Sequence, residues 1–289
     1  MLGRIAIMES TKAPVLGHKI QKGVDQRVKA KKKSVVDRIP NWGWLLISLA
    51  AALLVWTALS YGTKTGRSFC HPWEMPGIFM TVAVERGILL SDTAGSLLTV
   101  LAGYLIGFAI SLPLAILMAW YRPVRYVVQP WIQFIRNIPP LAYVPLIVLM
   151  LGVGPQPQIT VITIATVLIM SVTIYQGVVN IDETLIKAAR VLGAKDKDVF
   201  VRVIAPASLP FILTAARLGA STALTTLIAA ESVGSGLGLG MRIRAFNSNY
   251  EPYPMLLYII VIGIIGLIIE KLIKFVERKL TGWQEKREI

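Results

Sequence analysis

The sequence predicts an all-α integral membrane protein of about six spans, and three observations carry that prediction. The chain has 289 residues, 55% of them hydrophobic and only 16% charged, with a mean hydropathy of +0.64. A soluble domain is typically about 45–50% apolar and about 25% charged. The apolar residues collect into runs long enough to cross a bilayer, and the Lys and Arg collect between them.

The elements follow in order. Residues 1–41 form a polar tail with ten Lys or Arg, including KAKKK at 29–33, against three Asp or Glu. This basic lead is too long for a secretory signal, and SYGTKTG after the first apolar run offers no small-residue cleavage site, so the first span is retained. Span 1 covers 42–59, with Trp42, Trp44 and Trp56 near its ends as an aromatic belt requires. Residues 60–93 read as a loop and an amphipathic helix lying in the interface. Span 2 covers 94–120. Span 3, at 136–153, is short, and Pro139, Pro140 and Pro145 break its hydrogen-bond ladder. Such a helix is tolerated in lipid only where protein or a cavity surrounds it. Span 4 covers 159–178. Span 5, at 210–230, is rich in Ala, Thr, Ser and Gly, which lets helix backbones approach closely. A glycine-rich loop leads to span 6 at 255–273, and residues 276–289 form a basic C-terminal tail.

With both termini cytoplasmic, 24 Lys or Arg lie on the cytoplasmic side and five outside: Lys64, Arg67, Arg86, Arg242 and Arg244. That asymmetry satisfies the positive-inside rule and places the segment 182–206 in the cytoplasm. It also accounts for the net charge of +14 without nucleic acid, for which no basic platform interleaved with aromatics is present. The single cysteine, Cys70, forms no internal disulfide, and two histidines, His18 and His71, leave no set of metal ligands. The glycines of GSGLGLG at 234–240 lack the Lys-Ser/Thr and the strand–helix setting of a phosphate loop. They read as a flexible outer loop within reach of a docking protein, and Arg242 and Arg244 beside them as an attraction for anions.

The segment 182–206 is too charged for the hydrocarbon and too regular for a linker. Asp182 and Glu183 suit a helix N-terminus. Leu185, Ala188, Ala189 and Leu192 recur at helical spacing as one apolar stripe, and Gly193 is a natural stop. A second short helix starts near Asp196 or Asp198 and carries Val199, Phe200, Val203 and Ile204, and Pro206 ends it. On spacing alone the pair is either a membrane-surface element meeting anionic headgroups or a docking element for a cytoplasmic partner.

KAARVLGAKDKDVFVRVIAP resembles the EAA loop of ABC importer permeases. Lys187, Ala188 and Ala189 stand at the opening triplet, Gly193 at its glycine, and Val203 and Pro206 at the closing hydrophobic and proline. Lys187 departs from the usual Glu. SLLTVLAGYLIGFAISLPLAILMAW, RNIPPLAYVPLIVLMLGVG and LPFILTAARLGASTALTTLIAAESVGSGLGLG are similar to the nitrate, taurine, alkanesulfonate and bicarbonate branch of that family. The resemblance implies the type I (MetI-like) permease fold in a bacterial cytoplasmic (inner) membrane. It implies a homodimer of permeases, two ATPase subunits each gripping one loop through residues that include Phe200, and a periplasmic or lipid-anchored solute-binding protein. ATP and Mg would bind those ATPase subunits, and this chain would hold no cofactor and be no enzyme.

Candidate pathway residues follow from cost, because ionisable groups in a span usually face the bundle interior. Arg217 and Glu231 lie 14 residues apart in span 5, about 21 Å along a helix and about 40° off one face. They either line the ends of a pathway or serve the two interfaces, Arg217 by snorkelling. Asn137, Pro139 and Pro140 form either a hinge or a static packing feature, and Arg136 contacts headgroups or the loop. A self-sufficient secondary transporter is the rival of another class, but no inverted repeat or midplane charge supports it. A passive membrane anchor is disfavoured by the broken span 3 and the small residues of span 5.

Overall fold

The computed structural model describes residues 40–62, 66, 68–233 and 237–281. The basic N-terminal tail, Lys64, Arg67, the first glycines of the outer loop and residues 282–289 lie outside them. All regular elements among the described residues are helical. The chain divides between Ala58 and Leu59 into two units. Most of helix α1 (Asn41–Tyr61) belongs to the first. It is apolar around its whole circumference, and Leu45, Leu54 and Val55 are among its exposed side chains.

The second unit begins with a short 3-10 turn, α2 (Met75–Met80) and a π turn at Thr81–Glu85. Gly87, in the left-handed region at φ 61°, then starts α3 (Ile88–Trp120). The interface-lying helix expected up to residue 93 is therefore corrected at its end: residues 88–93 are the first turns of the span. Asp92 in those turns reads as a surface residue, but its carboxylate is paired and fully buried.

Span 3 is also corrected. Residues 122–151 form two helices, α4 (Arg122–Arg136) and α5 (Pro140–Leu151), bent by 103° at Asn137–Pro139. Twelve residues reach only about 18 Å, well short of a hydrocarbon core of about 30 Å, so α5 alone does not cross. The cause is local: Pro139 and Pro140 deny two donors in succession, and α5 restarts with Pro140 at its first position, where no donor is needed. The model thus holds five helices able to span, or six if the bent pair counts as one.

Helix α6 (Pro155–Val179) is the centre of the bundle. It packs against α3 and against α9 (Ala205–Val233), and glycines permit both contacts. On α3, GYLIG presents Gly103 and Gly107 one turn apart. A Cβ on Gly103 would lie 2.7 Å from Ile162 Cβ, and one on Gly107 would overlap Thr166. Thr163 Oγ1 donates to the Gly103 carbonyl across the same seam at 3.2 Å. Met170 covers Gly219 of α9, and Phe211 of α9 covers Gly177. This is small-residue packing, which replaces the hydrophobic effect as a source of helix association in lipid. Gly107→Leu is accordingly expected to eliminate monodisperse protein after detergent extraction, because overpacking costs about 1–3 kcal/mol even where methylenes fit in part. An unchanged size-exclusion profile would show that α3 and α6 do not meet at this seam.

The chain closes with α10 (Leu239–Ser248) and α11 (Pro252–Leu280).

Candidate functional site

Two clusters of functional side chains lie at opposite ends of α9. The first is the charged segment. Helix α7 (Glu183–Val191) is capped by Asp182, whose carboxylate accepts the Thr184 amide at 2.8 Å. That hydrogen bond holds the Asp182 carboxyl below its ordinary value. Gly193, at φ 83°, closes the helix: its amide donates to the Arg190 carbonyl and that of Ala194 to the Ala189 carbonyl, each at 3.0 Å. This is a Schellman stop, and it requires a residue at ease with positive φ.

The predicted stripe divides. Ala189 packs with Ile186 against a small core of Ile181, Val199 and Ile204. Leu185, Ala188 and Leu192 face outward instead, and the Val191 and Leu192 side chains are 86% and 87% exposed. Lys187 is exposed beside them and pairs with Glu183 at 2.8 Å, one turn back on the same helix. Each charge favours the other, so the Glu183 carboxyl lies below its usual range and the Lys187 ammonium above.

Pro206 does not end the second short helix. Helix α8 (Asp196–Val199), a π turn at Phe200–Ile204 and α9 run on as one 38-residue element. The π turn bonds the Ala205 amide back to the Phe200 carbonyl, and this widened ladder absorbs the donor that Pro206 lacks. Val203 is half-buried in that turn, and the Phe200 ring meets Trp120 edge-on at 5.5 Å. The segment therefore touches the end of α3 as well as leading into α9.

The second cluster lies at the other end. Glu231, fully buried in the last turn of α9, accepts from Ser96 Oγ at 2.6 Å and from the Gly240 amide at 2.7 Å. Ser96 Oγ in turn accepts the Leu239 amide at 2.8 Å. The carboxylate thus satisfies the first free amides of α10 at its positive end. Close approach explains the glycines here: a Cβ on Gly238 would strike the Glu231 carboxylate, and one on Gly240 would lie 3.0 Å from Glu231 Cβ. The flexible loop expected here is, from Leu239 onward, a packed helix.

Beside Glu231, Arg242 forks onto Asp92, Nε to Oδ2 at 2.8 Å and Nη2 to Oδ1 at 3.2 Å, and Tyr258 donates to Oδ2 at 2.8 Å. The Asp92 hydrogen bonds raise the Arg242 guanidinium above its ordinary value. Arg244 donates to the Ser232 carbonyl at 2.5 Å. The two arginines expected to attract an anion are therefore engaged within the chain. Asp92, Ser96 and Tyr258 were not predicted from sequence. Together these contacts tie α10 to the ends of α3, α9 and α11.

The remaining predicted residues lie elsewhere. Arg217 pairs with Glu277 of α11 and does not meet Glu231. Arg136, Asn137 and Pro139 are exposed at the bend between α4 and α5, with Pro140 half-buried.

Residues 111–282 match the family described as "Binding-protein-dependent transport system inner membrane component". A probable ABC transporter permease protein of Brucella abortus is 45% identical over 250 residues, 86% of this chain and 98% of that one. The taurine transport system permease protein of Escherichia coli is 30% identical over 84% of this chain and 93% of its own length. The bicarbonate transport system permease protein of Synechococcus elongatus is 32% identical over 81% and 84%. A solved methionine ABC transporter chain, at 21% identity, shares the fold with a TM-score of 0.60 over 67% of this chain and 96% of its own. A helical bundle of five or six candidate spans, carrying an exposed charged element between two of them, joins these matches in one conclusion: the chain belongs to the inner-membrane permease components of binding-protein-dependent ABC importers.

Proposed function

We propose that this chain forms, as two copies, the translocation pathway for a small anion such as nitrate, a sulfonate or bicarbonate, delivered by an external solute-binding protein. Relatives named for taurine and bicarbonate support that substrate class. Cytoplasmic ATPase subunits, which bind ATP and Mg, drive the cycle and perform the hydrolysis. Each grips the turn at Leu185, Ala188, Val191 and Leu192. The observation that carries this reading is the exposure of Val191 and Leu192 on a turn flanked by Lys187, Arg190 and Lys195, where lipid tails do not cover apolar side chains.

Movement of that turn reaches α3 through Phe200 and Trp120, and α9 through the π turn. Helix α9 carries it to Glu231, where release of α10 opens the outer end of the pathway. The break at Asn137, Pro139 and Pro140 is the hinge of α4 and α5, with Arg136 at the membrane surface beside it. The test is co-expression with the ATPase subunit and the binding protein, followed by affinity purification on this chain and uptake of taurine, bicarbonate and nitrate by proteoliposomes. Retention of the ATPase and ATP-dependent uptake of one anion are expected. A chain that retains no ATPase, with uptake intact after residues 182–206 are replaced by a neutral linker, would overturn the reading.

A further inference from the structure

Between α9 and α11 lies a groove of about 420 Å³ that neither pathway nor docking turn uses. Its walls are apolar, with Leu218, Leu224 and Leu267 among them, and Gly263 and Gly266 floor it. An added Cβ on Gly263 would meet nothing within 4 Å, and one on Gly266 would meet only Leu224 Cδ1 at 3.7 Å. Unlike Gly103 and Gly107, these glycines face space that no helix of this chain fills.

One end of the groove is charged. Arg217 gives Nη2 to Glu277, but its Nε is buried without a hydrogen-bond partner. A buried donor left unpaired costs about 1–3 kcal/mol, more when charged. Glu270 beside it is engaged by Lys274 at 2.5 Å. Both nearby carboxylates are thus neutralised within the chain, and neither reaches Nε. Lys271 and Arg278 stand on the adjoining flank of α11, with Lys279 next to them, so the end of the groove carries excess positive charge. Basic residues at a membrane surface each attract anionic lipid by about 1 kcal/mol.

We propose that this groove is a binding site for an anionic phospholipid from the leaflet at the basic end of α11. The phosphate oxygen accepts from Arg217 Nε, and an acyl chain lies along Gly263 and Gly266. The open glycine floor, the unpaired guanidinium edge and the uncompensated cations meet at one place, and a headgroup phosphate with its attached chain satisfies all three. The site depends on the membrane reading but not on the identity of the transported solute.

The full chain, purified in mild detergent, is offered phosphatidylglycerol and phosphatidylcholine in equal amounts, and retained lipid is counted by native mass spectrometry. Phosphatidylglycerol is expected to exceed phosphatidylcholine roughly tenfold, the ratio that one charge-assisted hydrogen bond supplies. Arg217→Gln should remove that preference, and Gly266→Leu, which fills the groove and leaves Arg217 in place, should reduce retention of both lipids. If Arg217→Gln does not yield folded protein, Gly266→Leu still decides. Equal retention of the two lipids by the unaltered chain overturns the proposal. So does displacement of phosphatidylglycerol by millimolar inorganic phosphate, which would mark a free-anion site. A change in oligomeric mass with Gly266→Leu at constant lipid count would make the groove a contact between copies and equally overturn it. None of these outcomes depends on an ATPase, so failure here leaves the importer reading untouched.

Discussion

Glu231→Leu is expected to abolish uptake while leaving retention of the ATPase intact. The substitution removes the acceptor for the Gly240 amide and for Ser96 Oγ, both buried at the start of α10. Each orphaned group costs about 1–3 kcal/mol, so the clasped arrangement loses roughly 2–6 kcal/mol against the open one. A two-state gate responds to such a bias by about two or more powers of ten in population, enough to fix the outer end in one state. The docking turn lies at the far end of a 29-residue helix, about 43 Å away, and keeps its own caps and core. Glu231→Gln separates charge from shape. Its carbonyl oxygen still serves Gly240 while Ser96 loses one acceptor, and intermediate uptake is expected. Proteoliposome transport read beside ATPase co-purification checks both variants. Normal uptake by Glu231→Leu would show that the clasp on α10 is structural and takes no part in gating.

What could be read from sequence divides along physical lines. Features settled by neighbours in the chain were legible. Asp182 and Gly193 terminate α7 because cap geometry depends on a few adjacent residues. The proline pair at 139–140 announced a break, although not that the break turns the chain by 103°. Pro206 misled for the complementary reason: a π turn upstream can absorb a missing donor, and no local residue pattern announces one. GYLIG on α3 was a readable signal for close packing that its hydropathy alone concealed.

Features that depend on distant partners were not legible. Asp92 is separated by 150 residues from Arg242 and by 166 from Tyr258, and an acid near a span boundary looks like a surface residue until its partners are placed. The same limit applies to facing. Helical spacing grouped Leu185, Ala188, Ala189 and Leu192, but only the core of Ile181, Val199 and Ile204 determines which side turns inward. Glu231 was singled out by its cost in a membrane; the amides and hydroxyl that offset that cost come from α10 and α3.

That facing sets up the second large effect. Val191→Asp combined with Leu192→Asp is expected to abolish ATPase retention while the permease remains monodisperse. Both side chains are more than four-fifths exposed, so the chain alone loses little when they become polar. Burial of each against a partner contributes about 1.5–3 kcal/mol, and losing both removes roughly 3–6 kcal/mol, or about two to four powers of ten in affinity. Two carboxylates driven into an apolar groove add a desolvation penalty to that loss. Ile186→Asp is the contrasting variant: Ile186 packs on the inner core, and its loss should lower folded yield before docking can be measured. Gly193→Ala lies between the two, because a Cβ at φ 83° costs about 1–2 kcal/mol and loosens the turn that presents Leu192. Co-purification and size exclusion on the three variants separate a docking face from a structural one. If the doubly charged variant holds its ATPase as tightly as the unaltered chain, the turn at 191–193 is not where the ATPase binds.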